Sequence, residues 1–148
     1  MNILKIERID KENVIFPKFR DEGDAGFDIH TYMPEGGLII IHPKEIAKFR
    51  TGLKLQIPEG YYVELHLRSS AGIKKHLRLT NTIGIIDTNY RNEVLFFIEN
   101  TGTEAQEILN GERLIQGIFR KKEKLELQEV EKVDETNRGA GFGSSGRI

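Results

Sequence analysis

Cysteine is absent from this chain of 148 residues, so disulfides, Cys-ligated zinc, iron–sulfur clusters and a thiol nucleophile are excluded. Histidine is scarce, and the four that occur (His30, His42, His66 and His76) do not show a metal-ligand spacing such as HExxH. Any metal that this protein uses must therefore be held by oxygen ligands.

Neither sign of charge is in excess, because 22 lysines and arginines balance 23 aspartates and glutamates and leave a formal net charge of −1. Such a chain lacks the broad basic field that sequence-blind nucleic-acid binding needs, and we expect no nucleic-acid partner. Long hydrophobic runs are lacking too, since Lys5, Glu7 and Arg8 interrupt the apolar residues at the N-terminus, where a signal peptide or a membrane span needs a continuous run. We expect a soluble, cytoplasmic protein with no membrane partner.

What the sequence does contain is a series of short apolar runs with a period of two residues, which is typical of β-strands. The runs occupy residues 3–6, 38–41, 53–57, 61–67, 82–86, 94–98, 114–119 and 125–130. Two Pro-Glu-Gly turns, at residues 34–37 and 58–60, separate neighbouring runs. About ten short strands without a long amphipathic stretch predict an all-β fold, a jelly-roll-like barrel or sandwich. The one short helix is expected near residues 70–76.

The composition changes at residue 134, which divides the chain into a β domain, residues 1–133, and a C-terminal segment, residues 134–148. The segment is rich in glycine and serine and cannot pack a core of its own. One interpretation is a disordered terminus. The other is a flexible phosphate-binding flap, in which successive N–H groups form an anion-binding nest beside Arg138 and the ring of Phe142. Composition alone favours neither decisively.

Residues 84–94 place a carboxylate and an aromatic ring between two apolar runs, so that Asp87 and Tyr90 lie at the mouth of a predicted hairpin. In the structural interpretation, which suits most Asp-x-Asn turns, Asp87 hydrogen-bonds its own backbone and Tyr90 covers a strand end. In the functional one, Asp87 is a general base for water and Tyr90 packs on a sugar.

Arg68-Ser69-Ser70 directly follows the run at residues 61–67. A guanidinium, two hydroxyls and free N–H groups make a plausible phosphate cradle. The alternative is a serine N-cap for the short helix. These residues do not distinguish the two interpretations.

Five segments, taken in order, resemble the motifs of the trimeric deoxyuridine triphosphatase (dUTPase) family. They are DAGFDI at residues 24–29, RSS at 68–70, the segment at 84–93, GERLIQ at 111–116 and RGAGFGSSG at 138–146. Each motif is weak by itself, but their common order across almost the whole chain makes the resemblance specific.

The resemblance implies hydrolysis of dUTP to dUMP and pyrophosphate, which limits uracil incorporation into DNA and supplies dUMP for thymidylate synthesis. By likeness to the third motif, Asp87 orients and deprotonates the water that attacks the α-phosphorus. Because a carboxylate is a weak base, positioning and stabilisation of phosphate charge must supply most of the rate. Tyr90 is expected to lie against the deoxyribose and to reject a 2′-hydroxyl.

The same likeness assigns the remaining contacts. Asn81 and backbone groups of the hairpin read the uracil edge, Phe142 stacks over the base when the flap closes, and Asp28 touches Mg²⁺ only through water. The residues expected to contact the substrate are Arg68, Ser69, Ser70, Asn81, Ile85, Ile86, Tyr90, Leu95, Gln116, Arg138, Phe142 and Gly143. Three subunits share each site in this family, so the resemblance also implies a homotrimer.

Three positions depart from the family pattern. Ser70 stands where glycine is common, so this loop must keep a negative φ or be arranged differently. Asn92 also replaces a glycine, and asparagine is the residue that best tolerates a left-handed backbone in its place. One residue fewer than usual separates Arg138 from Phe142.

Two rival functions remain open. A dCTP deaminase has the same fold and a similar Arg-Ser-Ser segment, but it needs a glutamate where this chain has Phe97, and Glu99 lies two positions farther along. A non-catalytic nucleotide sensor or binding module would keep nearly the same residues as the hydrolase.

Overall fold

A computed structural model of the protein describes residues 2–136. Eleven strands and one helix lie in this part of the chain. They are β1 (Lys5–Arg8), β2 (Gly26–His30), β3 (Leu38–Ile41), β4 (Ile46–Arg50), β5 (Leu53–Gln56), β6 (Tyr61–Leu67), α1 (Ser69–Lys75), β7 (Leu77–Leu79), β8 (Gly84–Ile86), β9 (Leu95–Asn100), β10 (Gln106–Leu109) and β11 (Arg113–Lys121). No helix among residues 2–136 is long and apolar enough to span a membrane.

The strands form two main antiparallel sheets and two separate strand pairs. One sheet has the order β2-β11-β6-β8 and the other β4-β9-β7, while β3 pairs with β10 and β1 with β5. Alternate side chains of both sheets point inward, so that Val63 and Ile115 from the first sheet and Phe49 and Ile98 from the second are buried in one hydrophobic cluster. The predicted all-β, jelly-roll-like sandwich is therefore confirmed.

Several predicted elements are confirmed in detail. The runs at residues 38–41 and 61–67 are β3 and β6, and the short helix is α1. Both Pro-Glu-Gly turns have glycines with positive φ, including Gly36 at 69° and Gly60 at 81°. Strands β2, β4, β7 and β10 were not among the predicted runs, because each is short and interrupted by charged or small residues that weaken the alternation.

The prediction of a strand at residues 125–130 is wrong, because the structure has no strand there. A strand needs a hydrogen-bonding neighbour, and within residues 2–136 no strand pairs with this segment. Its apolar side chains reach no core: Leu125 is 74% exposed and Leu127 is 89% exposed. An alternating pattern indicates a strand only where a sheet edge is available to accept it.

Gly52 fixes the junction between β4 and β5. Its φ is 67°, and a Cβ at this position would lie 2.2 Å from Cγ2 of Val14 and 3.1 Å from Cδ1 of Tyr32. Both the backbone conformation and the space available therefore exclude a side chain here.

We expect Gly52→Ala to destabilise the protein by about 3–4 kcal/mol, because a left-handed alanine and an overpacked contact add together. Gly60→Ala is the matched control, since Gly60 has a φ of 81° but no atom within 4 Å of the added Cβ. The control should lose only about 1–2 kcal/mol. Urea unfolding of both variants measures the difference, and equal losses would contradict the packing argument.

Candidate active site

A cavity of about 410 Å³, the inter-sheet pocket, lies between β8 and β9. Its lining includes six of the predicted site residues: Asn81, Ile85, Ile86, Asp87, Tyr90 and Leu95. Strand β8 pairs with β6, whereas β9 pairs with β4 and β7. The predicted hairpin is therefore wrong, because the two strands belong to different sheets and the chain between them crosses from one sheet to the other. This crossover leaves the pocket open between them.

The chain between β8 and β9, residues 87–94, is the crossover segment, and its backbone carbonyls accept the hydrogen bonds that hold its shape. Tyr90 donates its N–H to the Asp87 carbonyl at 3.1 Å and its hydroxyl to the Glu93 carbonyl at 2.9 Å. Arg91 donates Nη1 to the carbonyls of Thr88 at 2.6 Å and Tyr90 at 2.9 Å. The turn thus forms without help from the side chain of Asp87.

The Asp87 carboxylate is exposed at the end of β8, and no hydrogen bond or ion pair engages it within residues 2–136. The structural interpretation required this carboxylate to bond its own backbone. Since the turn is closed by other groups, the carboxylate remains available to water or to a ligand in the inter-sheet pocket.

A second cavity of about 170 Å³, the polar pocket, collects groups of three other predicted motifs. Its lining residues are Arg20, Asp24, Ala25, Gly26, Asp28, Arg68, Ser69 and Gln116. In register, Asp28 of β2 lies beside Gln116 of β11. A Cβ on Gly26 would lie 3.0 Å from Oε1 of Gln116, so the glycine leaves room for that amide.

Asp28 pairs with two arginines, Arg68, which lines the polar pocket, and Arg113, which does not. Its Oδ1 is ion-paired with Nε of Arg68, and its Oδ2 accepts a hydrogen bond from Nη1 of Arg113, both at 3.0 Å. Arg68 also donates Nη1 to the carbonyl of Arg113 at 3.2 Å. One carboxylate therefore orients two guanidinium groups, and the pair keeps a net positive charge suited to an anion.

The serine N-cap is also wrong, because Arg68 is the N-cap residue of α1 and no side chain caps the helix there. Ser69 and Ser70 are the first two helical residues, and only Ser69 lines the polar pocket. Ser70 keeps a negative φ, as its departure from glycine required, and Asn92 does not use the left-handed region at all. Both replacements are compatible with the backbone they occupy.

The structure separates the predicted residues into two groups. The inter-sheet pocket and the polar pocket share no lining residue, so Asp87 and Tyr90 are not brought together with Arg68, Ser69 and Gln116 in one cavity of this chain. Ser70 lies on α1 outside both pockets. Arg138, Phe142 and Gly143 fall outside the described residues.

Sequence reasoning missed the second arginine partner of Asp28. Arg113 lies within the fourth motif, so its position in GERLIQ was the available signal. Phe97, which the sequence comparison placed at the glutamate position of a deaminase, lines the inter-sheet pocket. Glu99 does not line that pocket and is ion-paired with Nη2 of Arg78 at 2.6 Å. These placements disfavour deamination.

A metal cage built by protein side chains alone is not present among residues 2–136. Asp28, the residue predicted to contact Mg²⁺ through water, lines the polar pocket, and both of its carboxylate oxygens already pair with arginines. A carboxylate engaged in this way suits a contact with the ion through a water molecule. Mg²⁺ commonly keeps several waters and takes its other ligands from phosphates, so the residues present fit this ion on a bound polyphosphate.

Beside the polar pocket, β6 carries a cluster of titratable groups around Glu64. Glu64 accepts Nε2 of His66 and the hydroxyl of Tyr62, both at 2.9 Å, and Nε of Arg120 at 3.1 Å. The bond from His66, followed by those from Tyr62 and Arg120, lowers the pKa of Glu64 to about 2. Glu64 is therefore ionised throughout the physiological range and anchors β6 to β11.

His30 lies on β2 at the rim of the same region. Burial lowers the pKa of His30, and the nearby positive charge of Arg113 lowers it further. Its Nδ1 is buried without a hydrogen-bond partner in the described part of the chain. His30 is thus held neutral beside the two guanidinium groups.

Comparison with known proteins gives a consistent assignment. The dUTPase family profile matches residues 12–146. The deoxyuridine 5′-triphosphate nucleotidohydrolase of Fusobacterium nucleatum subsp. nucleatum is 37% identical over 148 residues, which cover 99% of this chain and 100% of the relative. The chain belongs to the dUTPase family. The resemblance inferred from the five motifs is confirmed.

Solved dUTPase structures share the fold. A variant of the Staphylococcus bacteriophage 80alpha dUTPase, solved with dUpNHpp, matches with a TM-score of 0.82 and 27% identity over 99% of each chain. A variant of the dUTPase from phage phi11 of S. aureus, in which a structural Mg(II) ion is coordinated, matches with a TM-score of 0.79 and 24% identity over 90% of this chain and 100% of that one. By its family this dUTPase is an enzyme, a dUTP diphosphatase.

The lowered pKa of Glu64 predicts a pH-dependent contribution to stability. The ionised group stabilises the fold fully above its ordinary pKa of 4.5, and this stabilisation is lost as the pH falls toward about 2. Glu64→Gln should therefore be less stable than the wild type at pH 7, with the gap closing between pH 4.5 and 2. Urea midpoints across this range provide the measurement, and Glu7→Gln, in the exposed pair with Lys54, is the control. A gap independent of pH would refute the assignment.

Proposed function

We propose that this dUTPase hydrolyses dUTP to dUMP and pyrophosphate by attack of water on the α-phosphorus, with Asp87 as the base. The observation that carries the proposal is the free Asp87 carboxylate beside the inter-sheet pocket. The water proton passes to Asp87 as the oxygen bonds to phosphorus, and pyrophosphate leaves with the electron pair of the broken P–O bond. A carboxylate is a weak base, so positioning and charge stabilisation supply most of the rate.

The inter-sheet pocket is the proposed uracil site. Strand β8 is the edge of its sheet, and of the neighbours Ile85 and Ile86 one turns its backbone N–H and C=O toward β6 and the other turns them away, toward the open side. Together with Asn81 and the backbone of Leu95, these groups pair with the donor and acceptor pattern of uracil. Cytosine reverses that pattern and would leave buried polar groups unpaired, which discriminates more strongly than shape.

The sugar and the triphosphate are assigned to neighbouring residues. Tyr90 packs on the deoxyribose and leaves no room for a 2′-hydroxyl. The proposed phosphate ligands in the described chain are Arg68, Ser69, the N–H of Ser70 and Gln116, three of which line the polar pocket. Mg²⁺, when bound to the phosphates and held through water by Asp28, supplies neutralisation of the phosphate charge.

A homotrimer with shared sites is proposed from the family pattern, and the separate linings of the two pockets are compatible with it. The reaction needs Asp87 at the α-phosphorus and the guanidinium of Arg68 on the phosphate chain. The two pockets share no lining residue within the chain, and the proposal is that neighbouring copies contribute different residues to each site. The trimer follows from the family pattern, in which the sites are shared.

Residues 134–148 are proposed as a flap that follows the β domain of residues 1–133. Arg138 would bind phosphate, Phe142 would stack on uracil, and Gly143 would let the backbone approach the ligand. In the cytoplasm, the proposed role of the enzyme is to limit uracil incorporation into DNA and to supply dUMP for thymidylate synthesis.

Asp87→Asn tests the base directly. We expect kcat for dUTP to fall about 1,000-fold, the range of a general base, while the Kd for dUTP stays near the wild-type value. Pyrophosphate release and calorimetric titration measure the two quantities. Glu99→Gln, which changes an ion-paired carboxylate outside both pockets, should leave both unchanged. Unchanged turnover in Asp87→Asn would remove Asp87 from this role.

A substrate panel separates the rival functions. With Mg²⁺ present, pyrophosphate should be released from dUTP and not from dCTP, dTTP or UTP, and no ammonia should form. Ammonia from dCTP would instead identify a deaminase. Tight binding of dUTP without release of either product would identify a nucleotide sensor.

A further inference from the structure

We propose that Glu93, clamped by Arg50, is a positioning residue that sets the ring of Tyr90 and thereby controls selection of the deoxy sugar. The inference rests on the proposed role of Tyr90 and extends it to a pair of residues that do not line the inter-sheet pocket. Glu93 lies at the far end of the crossover segment, and Arg50 is the last residue of β4.

The Glu93 carboxylate is held at several points. Nε of Arg50 lies 3.1 Å from Oε1 and 3.0 Å from Oε2, and Nη2 of Arg50 lies 3.0 Å from Oε2. The N–H of Gly52 donates to Oε1 at 2.8 Å. Charge-assisted, multi-pronged bonds of this kind are stronger and more directional than single neutral ones. The Glu93 side chain is only 18% exposed, so solvent competes little for these bonds.

The Arg50 guanidinium group is itself held in place by packing against the ring of Tyr32. Its guanidinium carbon lies 5.3 Å from the centroid of the Tyr32 ring, and the Tyr32 hydroxyl donates to Oδ2 of Asp10 at 3.1 Å. Stacking on an aromatic face restricts the guanidinium to one plane. The clamp on Glu93 is therefore part of the rigid β4–β5 junction rather than a pair of mobile side chains.

The next residue is tied to the same junction. Val94 donates its N–H to the Leu53 carbonyl at 2.8 Å, and its own carbonyl accepts the Thr51 hydroxyl at 2.8 Å. The backbone at residues 93–94 thus has a fixed position relative to β5. The Glu93 carbonyl belongs to this fixed backbone, and it is the group that accepts the Tyr90 hydroxyl at 2.9 Å.

Tyr90 is consequently held at two points. Its backbone N–H donates to the Asp87 carbonyl, and its ring is held by the hydroxyl, which donates to the clamped Glu93 carbonyl. Rejection of a 2′-hydroxyl depends on a ring held at contact distance from the sugar, where displacements near 1 Å have large effects. Loosening the clamp should therefore reduce selectivity more than it reduces binding of dUTP.

The test compares kcat/KM for dUTP and UTP in Glu93→Gln, Tyr90→Phe and the double variant. Glutamine keeps the size of the side chain but presents an amide to Arg50. We expect the dUTP/UTP preference to fall about tenfold in each single variant and no further in the double variant, because both changes release the same ring. Arg50→Lys, which keeps the charge but not the fork, should shift the preference in the same direction.

The matched control is Glu99→Gln, because Glu99 is 22% exposed and also paired with an arginine. Its dUTP/UTP preference should match the wild type. A Glu93→Gln variant with wild-type preference but a lowered Tm would overturn the inference and leave a purely structural role. Additive effects in the double variant would also overturn it.

Tyr90→Ala separates the inference from the function on which it rests. Loss of the preference in Tyr90→Ala, with none in Glu93→Gln or Arg50→Lys, rejects the positioning role and keeps the sugar-packing role. An unchanged preference in Tyr90→Ala rejects both. Should Glu93→Gln fail to fold, Arg50→Lys alone decides the question.

Discussion

The double pairing of β11 is the constraint on which the arrangement of the polar pocket depends. This strand hydrogen-bonds to β2 on one side and to β6 on the other, so it fixes the register of three motif-bearing segments at once. Gly117 is required for the close packing of β11 on β2, because a Cβ there would lie 2.4 Å from Cζ of Phe27. Asp28, Gln116 and His66 consequently form one row across the sheet, and Arg68 follows directly at the end of β6.

The inter-sheet pocket has a different origin. Because β8 and β9 belong to different sheets, the chain between them bridges the sandwich and cannot be closed by ladder hydrogen bonds. Its shape comes instead from carbonyls that accept side chains, and from the Glu93 carboxylate that fastens its end to the β4–β5 junction. A carboxylate on such a bridge, unlike one within a ladder, can remain free of protein partners.

These two origins explain which features the sequence could predict. Alternation identified β3 and β6, because local patterns report local structure. The motifs supplied some of the residues that line each pocket, such as Asp87 and Arg68. Pairing is not local. The crossover resembled a hairpin because its flanking runs are adjacent in sequence. Residues 125–130 resembled a strand, although no sheet edge in the described part of the chain pairs with them. Arg113 was missed as a partner of Asp28 because β2 and β11 meet only in the folded sheet.

The separate linings of the two pockets also bear on how the charged side chains of this dUTPase are distributed. Asp28 offsets one of the two guanidinium charges that it orients, those of Arg68 and Arg113, so this cluster of three groups keeps one positive charge. A polyphosphate is the natural counterion for that excess. Asp87, by contrast, lines the inter-sheet pocket, which shares no lining residue with the polar pocket, and no ion pair engages it within residues 2–136. In the proposed mechanism, a base and phosphate ligands that line separate pockets do not neutralise one another before substrate binds.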